Sequence, residues 1–239
     1  VLAAQPCTRL LKKYWTRCVS PASAPPMTGD LLSVFTASFV TFFVLIDALG
    51  VAPIFASLTA KGDVKYRRSM AIRSVLVATV IIFGFAFFGA WLLQQLHITI
   101  DAFRAAGGAL LFLIALDMVF EKRTERRETR ADEYLEEHET LEDVSVFPIG
   151  IPMLAGPGSI ATAMLFMSES ANWMTQGAVL LAIGLNMLLC LIVFLLASPL
   201  VKAMGESVAG AITRIFGVIL AALSVQLLID GLTGAFGLS

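Results

Sequence analysis

Six stretches of this 239-residue chain are apolar over lengths that suit a bilayer crossing, and that feature limits the fold more than any other. They run Leu31–Leu58, Met70–Leu93, Phe103–Phe120, Val146–Met167, Ala178–Val201 and Val208–Ile229. A hydrocarbon core of about 30 Å needs about 20 residues of helix. Each run is near or above that length, so the expectation is an all-α polytopic membrane protein with six transmembrane helices. Composition agrees: 58% of residues are hydrophobic and 15% charged, where soluble domains have about 45–50% and about 25%. A net charge of −1 gives no reason to expect a nucleic-acid partner. The lipid bilayer is the one partner that composition requires. Three scattered cysteines make no disulfide framework, and nothing suggests a metal site or a cofactor.

Charge separates the connections. The first carries Lys61, Lys65, Arg67, Arg68 and Arg73, and the third Lys122, Arg123, Arg126, Arg127 and Arg130, while the fifth carries Lys202. The second and fourth contribute only Arg104 between them. By the positive-inside rule the odd-numbered connections face the cytoplasm and both termini the periplasm. Residues 1–26 are basic and end in Pro, Ala and Ser, without the apolar core of a signal peptide. They read as a leader that is disordered or not native, with Met27 as the natural start. The segment 121–145 is dense in charge of both signs and reads as a solvated cytoplasmic linker between two halves, 27–120 and 146–239.

The halves resemble each other. One constant shift places Gly50 on Gly156 and Pro53 on Ser159, and carries the second run onto the fifth. A slightly longer shift places Arg104 and Gly107 of "RAAG" on Arg214 and Gly217 of "RIFG". Agreement in order points to a duplicated three-span unit. Because three is odd, the second copy enters from the opposite side, giving inverted repeats with broken first and fourth helices.

Those breaks are the candidate site. "IPMLAGPGSI" at Ile151–Ile160 holds Pro152, Gly156, Pro157 and Gly158 inside a run that could otherwise cross the bilayer. Proline withholds a backbone donor and glycine frees the backbone. In lipid, broken backbone persists only where protein or a wet cavity satisfies it. A half-helix starting near Gly158 offers free N–H groups to a carboxylate, with the Ser159 hydroxyl beside them. In the first run, "IDALGVAPIF" supplies Asp47, Gly50 and Pro53. Facing breaks would hold a small zwitterionic substrate, its carboxylate on the N–H groups and its ammonium on Asp47. A charged Asp at a helix centre costs roughly 2.5–3.5 kcal/mol to insert, so Asp47 is expected to face a cavity or partner, or to carry a coupling proton. Sodium is the alternative coupling ion. Asn186 and Gln226 are expected to bond between helices, and Arg104 and Arg214 to play a common structural role at helix starts.

"FRAAGGALL", "IPMLAGPGSIA" and "AITRIFGVILAALSVQLLIDGL" together resemble the MarC family of bacterial inner-membrane proteins, over about Leu31 to Leu232. The resemblance implies a six-span inner-membrane protein, and a related branch, SnatA, comprises transporters of small neutral amino acids such as glycine and alanine. Pro152, Gly156, Pro157, Gly158 and Ile160 match the family's fourth-span signature. In its first-span motif Asp47 and Gly50 match, but Ala48 stands where proline is common, which implies a softer first break.

The function expected is secondary transport of small neutral amino acids or similar small polar metabolites. A broader drug or metabolite exporter and a non-transporting membrane interaction protein are the alternatives, and a homo-oligomer is compatible with each. No HExxH, GxSxG, nucleotide loop or histidine pair is present, so no enzyme is expected. Deleting most of Glu125–Asp143 is expected to spare a transporter and disable a docking protein.

Overall fold

The computed structural model describes residues 31–137, 143–170 and 172–237. The expectation for the leader 1–26 therefore lies outside the described residues. The fold is all-helical among those residues, and five segments are long and apolar enough to cross a membrane. A bent pair of helices brings the number to six when taken as one span.

The first span is α1 (Leu31–Ile46) followed by α2 (Ala48–Leu58). Asp47 joins them in the left-handed conformation, φ 52° and ψ 53°, which Asp tolerates better than most residues because its short side chain can bond locally. That side chain caps α2, accepting from the Gly50 N–H at 3.3 Å. The chain keeps its course through the junction, so Leu31–Leu58 remains one span.

Helix α3 (Val64–Gln95) starts at Asp63, whose carboxylate accepts from the Tyr66 N–H at 2.7 Å. Its buried stripe of Ala71, Ala78, Ile82, Ala86 and Gly89 is narrow, and Val80, Phe87, Phe88 and Trp91 are exposed. An apolar residue on every face is what a lipid-facing helix requires. Helix α4 (Ile100–Val119) is capped by Thr99 and followed by α5 (Lys122–Glu137).

Residues Ser145–Leu154 turn more widely than an α-helix; the Ala155 N–H bonds back five residues to the Gly150 carbonyl. Phe147 and Ile151 are extended, with φ near −129° and −128°. Both precede prolines, whose rings drive the preceding residue out of the helical region. The peptide bonds before Pro148 and Pro152 are cis. Helix α6 (Pro157–Glu169) then departs at 57°. Pro157 stands in its first turn, where no N–H is needed. The fourth apolar run is thus a bent pair, whereas the first continues through its break. Helices α7 (Trp173–Leu195) and α8 (Ala197–Ala235) complete the chain.

Elements of the two halves pack chiefly on each other. Helix α4 lies along α8, α1 and α2 lie on α7, and α6 lies on α3 and α4. Phe55 of α2 stacks on Phe194 of α7 with ring centroids 4.5 Å apart, and Phe42 of α1 meets Phe166 of α6 edge-on at 6.2 Å. Lipid tails are as apolar as these side chains, so close fit rather than exclusion from water holds such contacts.

The linker departs from expectation. Residues 122–137 form α5, and its Arg127 is only 5% exposed. The reason is spacing. Arg123, Arg126, Arg127 and Arg130 fall at i, i+3, i+4 and i+7, a single helix face, on which Arg127 is buried and Arg123 half-buried against the broken spans while Arg126 and Arg130 stay exposed.

Candidate functional site

Asp47 is fully buried, with no exposed surface. Three elements hold its carboxylate. The Gly50 N–H comes from α2, the Arg127 Nη1 from α5 at 3.2 Å, and the Thr213 hydroxyl of α8 lies 3.1 and 3.2 Å from the two oxygens. A Cβ at Gly50 would stand 2.3 Å from Asp47 Oδ2 and 2.6 Å from the Thr213 hydroxyl, so only glycine leaves room for the carboxylate to fold over the helix start. Beside it, Arg123 Nη2 donates to the Leu45 carbonyl at 2.9 Å, a group exposed by the break in α1. Buried charges need partners to be tolerated, and α5 supplies them to this break.

Burial lowers the pKa of both α5 guanidiniums. Arg123 comes down to about 9, with the like charge of Arg127 adding to burial and Asp47 and Asp117 opposing it. For Arg127 burial again dominates, opposed by Asp47. Arg123 at that value keeps its charge near neutral pH.

An open cavity of about 200 Å³ lies against the second break. Its lining includes Leu45 from the first span, Ile114 and Asp117 from α4, the stretch Pro152–Met153 with Gly156–Ser159, and all four arginines of the α5 face. Of the sequence-predicted residues, Pro152, Gly156, Pro157, Gly158 and Ser159 therefore share one cavity wall. The Ser159 hydroxyl donates to the Leu154 carbonyl at 3.1 Å, closing the bend. Gly50 and Pro53 line a different cavity of about 270 Å³, with Thr213 and the opposite, acidic face of the linker: Glu121, Glu125 and Glu128. Asp47 lines neither cavity. In place of the expected arrangement, with Asp47 facing the Gly158 end across a substrate, Asp47 is held by Arg127, which itself lines the cavity at Gly158. The physical reason is the desolvation cost of a bare carboxylate, which Arg127 and Thr213 offset.

Arg127 and Thr213 were not among the sequence candidates. For Arg127 the arginine stripe was a usable signal, because its period suits a helix with one cationic face. Thr213 gave none.

This site, with a buried ion pair between the first span and α5, can be compared with known proteins. A sequence model of the MarC family of integral membrane proteins matches residues 32–236. The chain belongs to the MarC family. A UPF0056 membrane protein of Methanocaldococcus jannaschii is 34% identical over 207 residues, covering 85% of this chain and 98% of its own length. The UPF0056 membrane protein YhcE of Escherichia coli is 30% identical over 203 residues, 85% of this chain and 94% of its own. YvbG of Bacillus subtilis is 30% identical over 206 residues, 86% and 97% of the two lengths. No solved structure matches the chain. This MarC protein is thus a multi-pass integral membrane protein with relatives in archaea and bacteria.

The remaining candidates of this MarC chain lie away from the cavity. Arg104 donates to Glu169 at 2.6 Å and to Asp101 at 3.1 Å, tying α4 to the end of α6. Arg214 pairs with Glu121. Each of the two repeated arginines therefore holds a carboxylate. Replacing Arg104 by alanine is expected to cost about 1.5–3 kcal/mol, the usual contribution of a hydrogen bond to a charged group, because Glu169 keeps little access to solvent. A thermal-unfolding series in detergent would read it, and a change within error would make the pair incidental. Asn186 bonds from α7 to the Phe39 carbonyl of α1 at 3.1 Å, as expected of an interhelical residue. Gln226 does not. It is exposed and donates within its own helix to Asp230 at 2.8 Å, since Asp230 sits one turn further on. Gly217 packs against Met118 and Val119, whereas a Cβ at Gly107 would meet nothing within 4 Å.

Proposed function

We propose that this protein is a secondary transporter of small neutral amino acids or similar small polar metabolites, built as two inverted three-span repeats and resident in the bacterial inner membrane with both termini periplasmic. The observation that carries the reading is the cavity of about 200 Å³ shared by the two broken spans, bounded by Leu45 on one side and Gly156–Ser159 on the other. Broken helices that leave backbone groups free around a small cavity are the usual ground plan of a transporter site.

Packing supports the repeat. If α1, α2, α3 and α4 correspond to Ser145–Leu154, α6, α7 and α8, contacts exchange in pairs. Helix α2 touches α7 and α8 as α6 touches α3 and α4, and α1 touches α7 as Ser145–Leu154 touches α3. The α4–α8 pair maps onto itself.

The arginine-rich connections then face the cytoplasm, which places α5 and both cavities near that side. A proton or sodium gradient is the expected coupling source. The test is uptake of labelled glycine and alanine into proteoliposomes, with imposed pH and sodium gradients. Saturable uptake is expected from the native protein. Gly158→Leu is expected to abolish it, because that side chain enters the cavity past the yielding tip of Ile114, 2.6 Å from the added Cβ. Folded protein giving no flux of either amino acid would refute the substrate class, and a broader exporter would be the next candidate.

A further inference from the structure

The Arg127 guanidinium is used on one side only. Its Nη1 reaches Asp47, but its Nη2 is buried and has no hydrogen-bond partner among the described residues. A buried donor left unpaired on a charged group is costly, and this one belongs to a side chain that is 5% exposed and lines the cavity at the second break. The same cavity wall carries the start of α6. Gly158 and Ser159 stand at the second and third positions of that helix, where N–H groups have no carbonyl one turn back within it. Two independent donor sets therefore border one small space: a guanidinium arm and a helix N-terminus.

We propose that Arg127 Nη2 and the first-turn N–H groups of Gly158 and Ser159 form an oxyanion subsite that takes the carboxylate of the transported molecule. This deepens the transport reading and rests on it. A carboxylate is planar with two acceptor oxygens, so one oxygen serves the guanidinium and the other the helix start, the two arrangements that bind carboxylates best. Charge favours it. Among the described residues, Arg123, Arg126, Arg127 and Arg130 line the cavity against the single carboxylate of Asp117, which Arg126 already engages at 2.5 Å. Asp47 then acts as counter-ion to Arg127, holding through Nη1 a side chain that lines the cavity. The ammonium end of a zwitterion falls toward Asp117, not toward Asp47. Helix α5 is on this account part of the binding site, and deleting Glu125–Asp143 would remove a ligand-binding group along with the linker.

Calorimetric titration of the full chain in detergent tests this with glycine, acetate and methylammonium as probes. Glycine and acetate are expected to bind in competition, and methylammonium not to displace either. The variant Arg127→Lys keeps a cation for Asp47 but has no second arm; it is expected to melt close to the native protein and to bind both carboxylates at least tenfold more weakly. The pair Asp47→Asn with Arg127→Gln removes both charges together and is expected to lose acetate binding as well. Acetate that fails to bind the folded native protein, or glycine affinity unchanged in Arg127→Lys, overturns the subsite and leaves the transport reading standing. Acetate binding that depends on Arg127 in a protein that neither binds nor moves amino acids upholds the subsite and overturns the transport reading.

Discussion

Arg127→Ala is expected to destabilise the protein by about 3–5 kcal/mol, the range seen when one member of a buried ion pair is removed. The cost does not come from losing a strong bond, since the single contact from Nη1 to Asp47 is 3.2 Å long. It comes from leaving Asp47, which has no exposed surface, hydrogen-bonded only by Thr213 and the Gly50 N–H among the described residues. Asp47→Asn with Arg127→Gln should recover most of the loss, because a neutral amide needs fewer partners. Residues in one such network usually couple by about 0.5–3 kcal/mol, so the double change should cost less than the two single ones together. Thermal or denaturant unfolding in detergent, completed as a double-mutant cycle, measures this. Additive single changes, or an Arg127→Ala protein melting with the native one, would mean that the Asp47–Arg127 contact does not stabilise the fold and that α5 is only resting there.

The spans and the second break were legible because their signals are local. Twenty apolar residues in a row describe a helix in lipid wherever it packs, and Pro152 and Pro157 withhold donors whatever surrounds them. The first break was half legible. Asp47 was conspicuous as a charge in a span, but the left-handed turn that makes the junction needs no proline, and Ala48 begins α2 without one. What the sequence concealed were long-range partners. Arg127 stands among residues such as Arg126 and Arg130 that are exposed, and composition alone assigns all of them to solvent. Thr213 is harder still. Thr36, Thr41 and Thr79 carry the same hydroxyl in the same kind of helix and spend it on the carbonyl four residues back. Only the position of Asp47 across the bundle distinguishes Thr213 from them. Gln226 was misread for the opposite reason. A polar side chain in a span is expected to need another helix, but Asp230 on its own helix meets the need.

Neighbouring glycines in α4 are expected to respond to alanine with opposite signs. An added Cβ at Gly108 would stand 2.6 Å from the Leu228 nitrogen and 2.8 Å from the Ser224 carbonyl oxygen of α8. These are backbone atoms, so no side chain can swing away and the two helices must separate. Across the same contact, a Cβ at Gly231 would lie 2.4 Å from the Ala105 nitrogen and 2.8 Å from the Asp101 carbonyl. Small residues let membrane helices approach until backbones touch, and forcing bulk into such a contact costs about 1–3 kcal/mol, occasionally more. Gly108→Ala and Gly231→Ala should each lose at least that much. Gly107→Ala should instead gain about 0.5–1 kcal/mol, the conformational penalty of glycine within a helix, because its Cβ meets nothing within 4 Å. The alignment of the halves singled out Gly107, opposite Gly217, and the packing moves the contact to its neighbour. Paired unfolding curves for Gly107→Ala and Gly108→Ala decide the matter without any assay of function. Equal losses would place both glycines in the interface and rotate α4 by a residue. Opposite signs would fix the face that α4 turns to α8. That face sets how closely α4 and α8 approach along the longest contact between the helices.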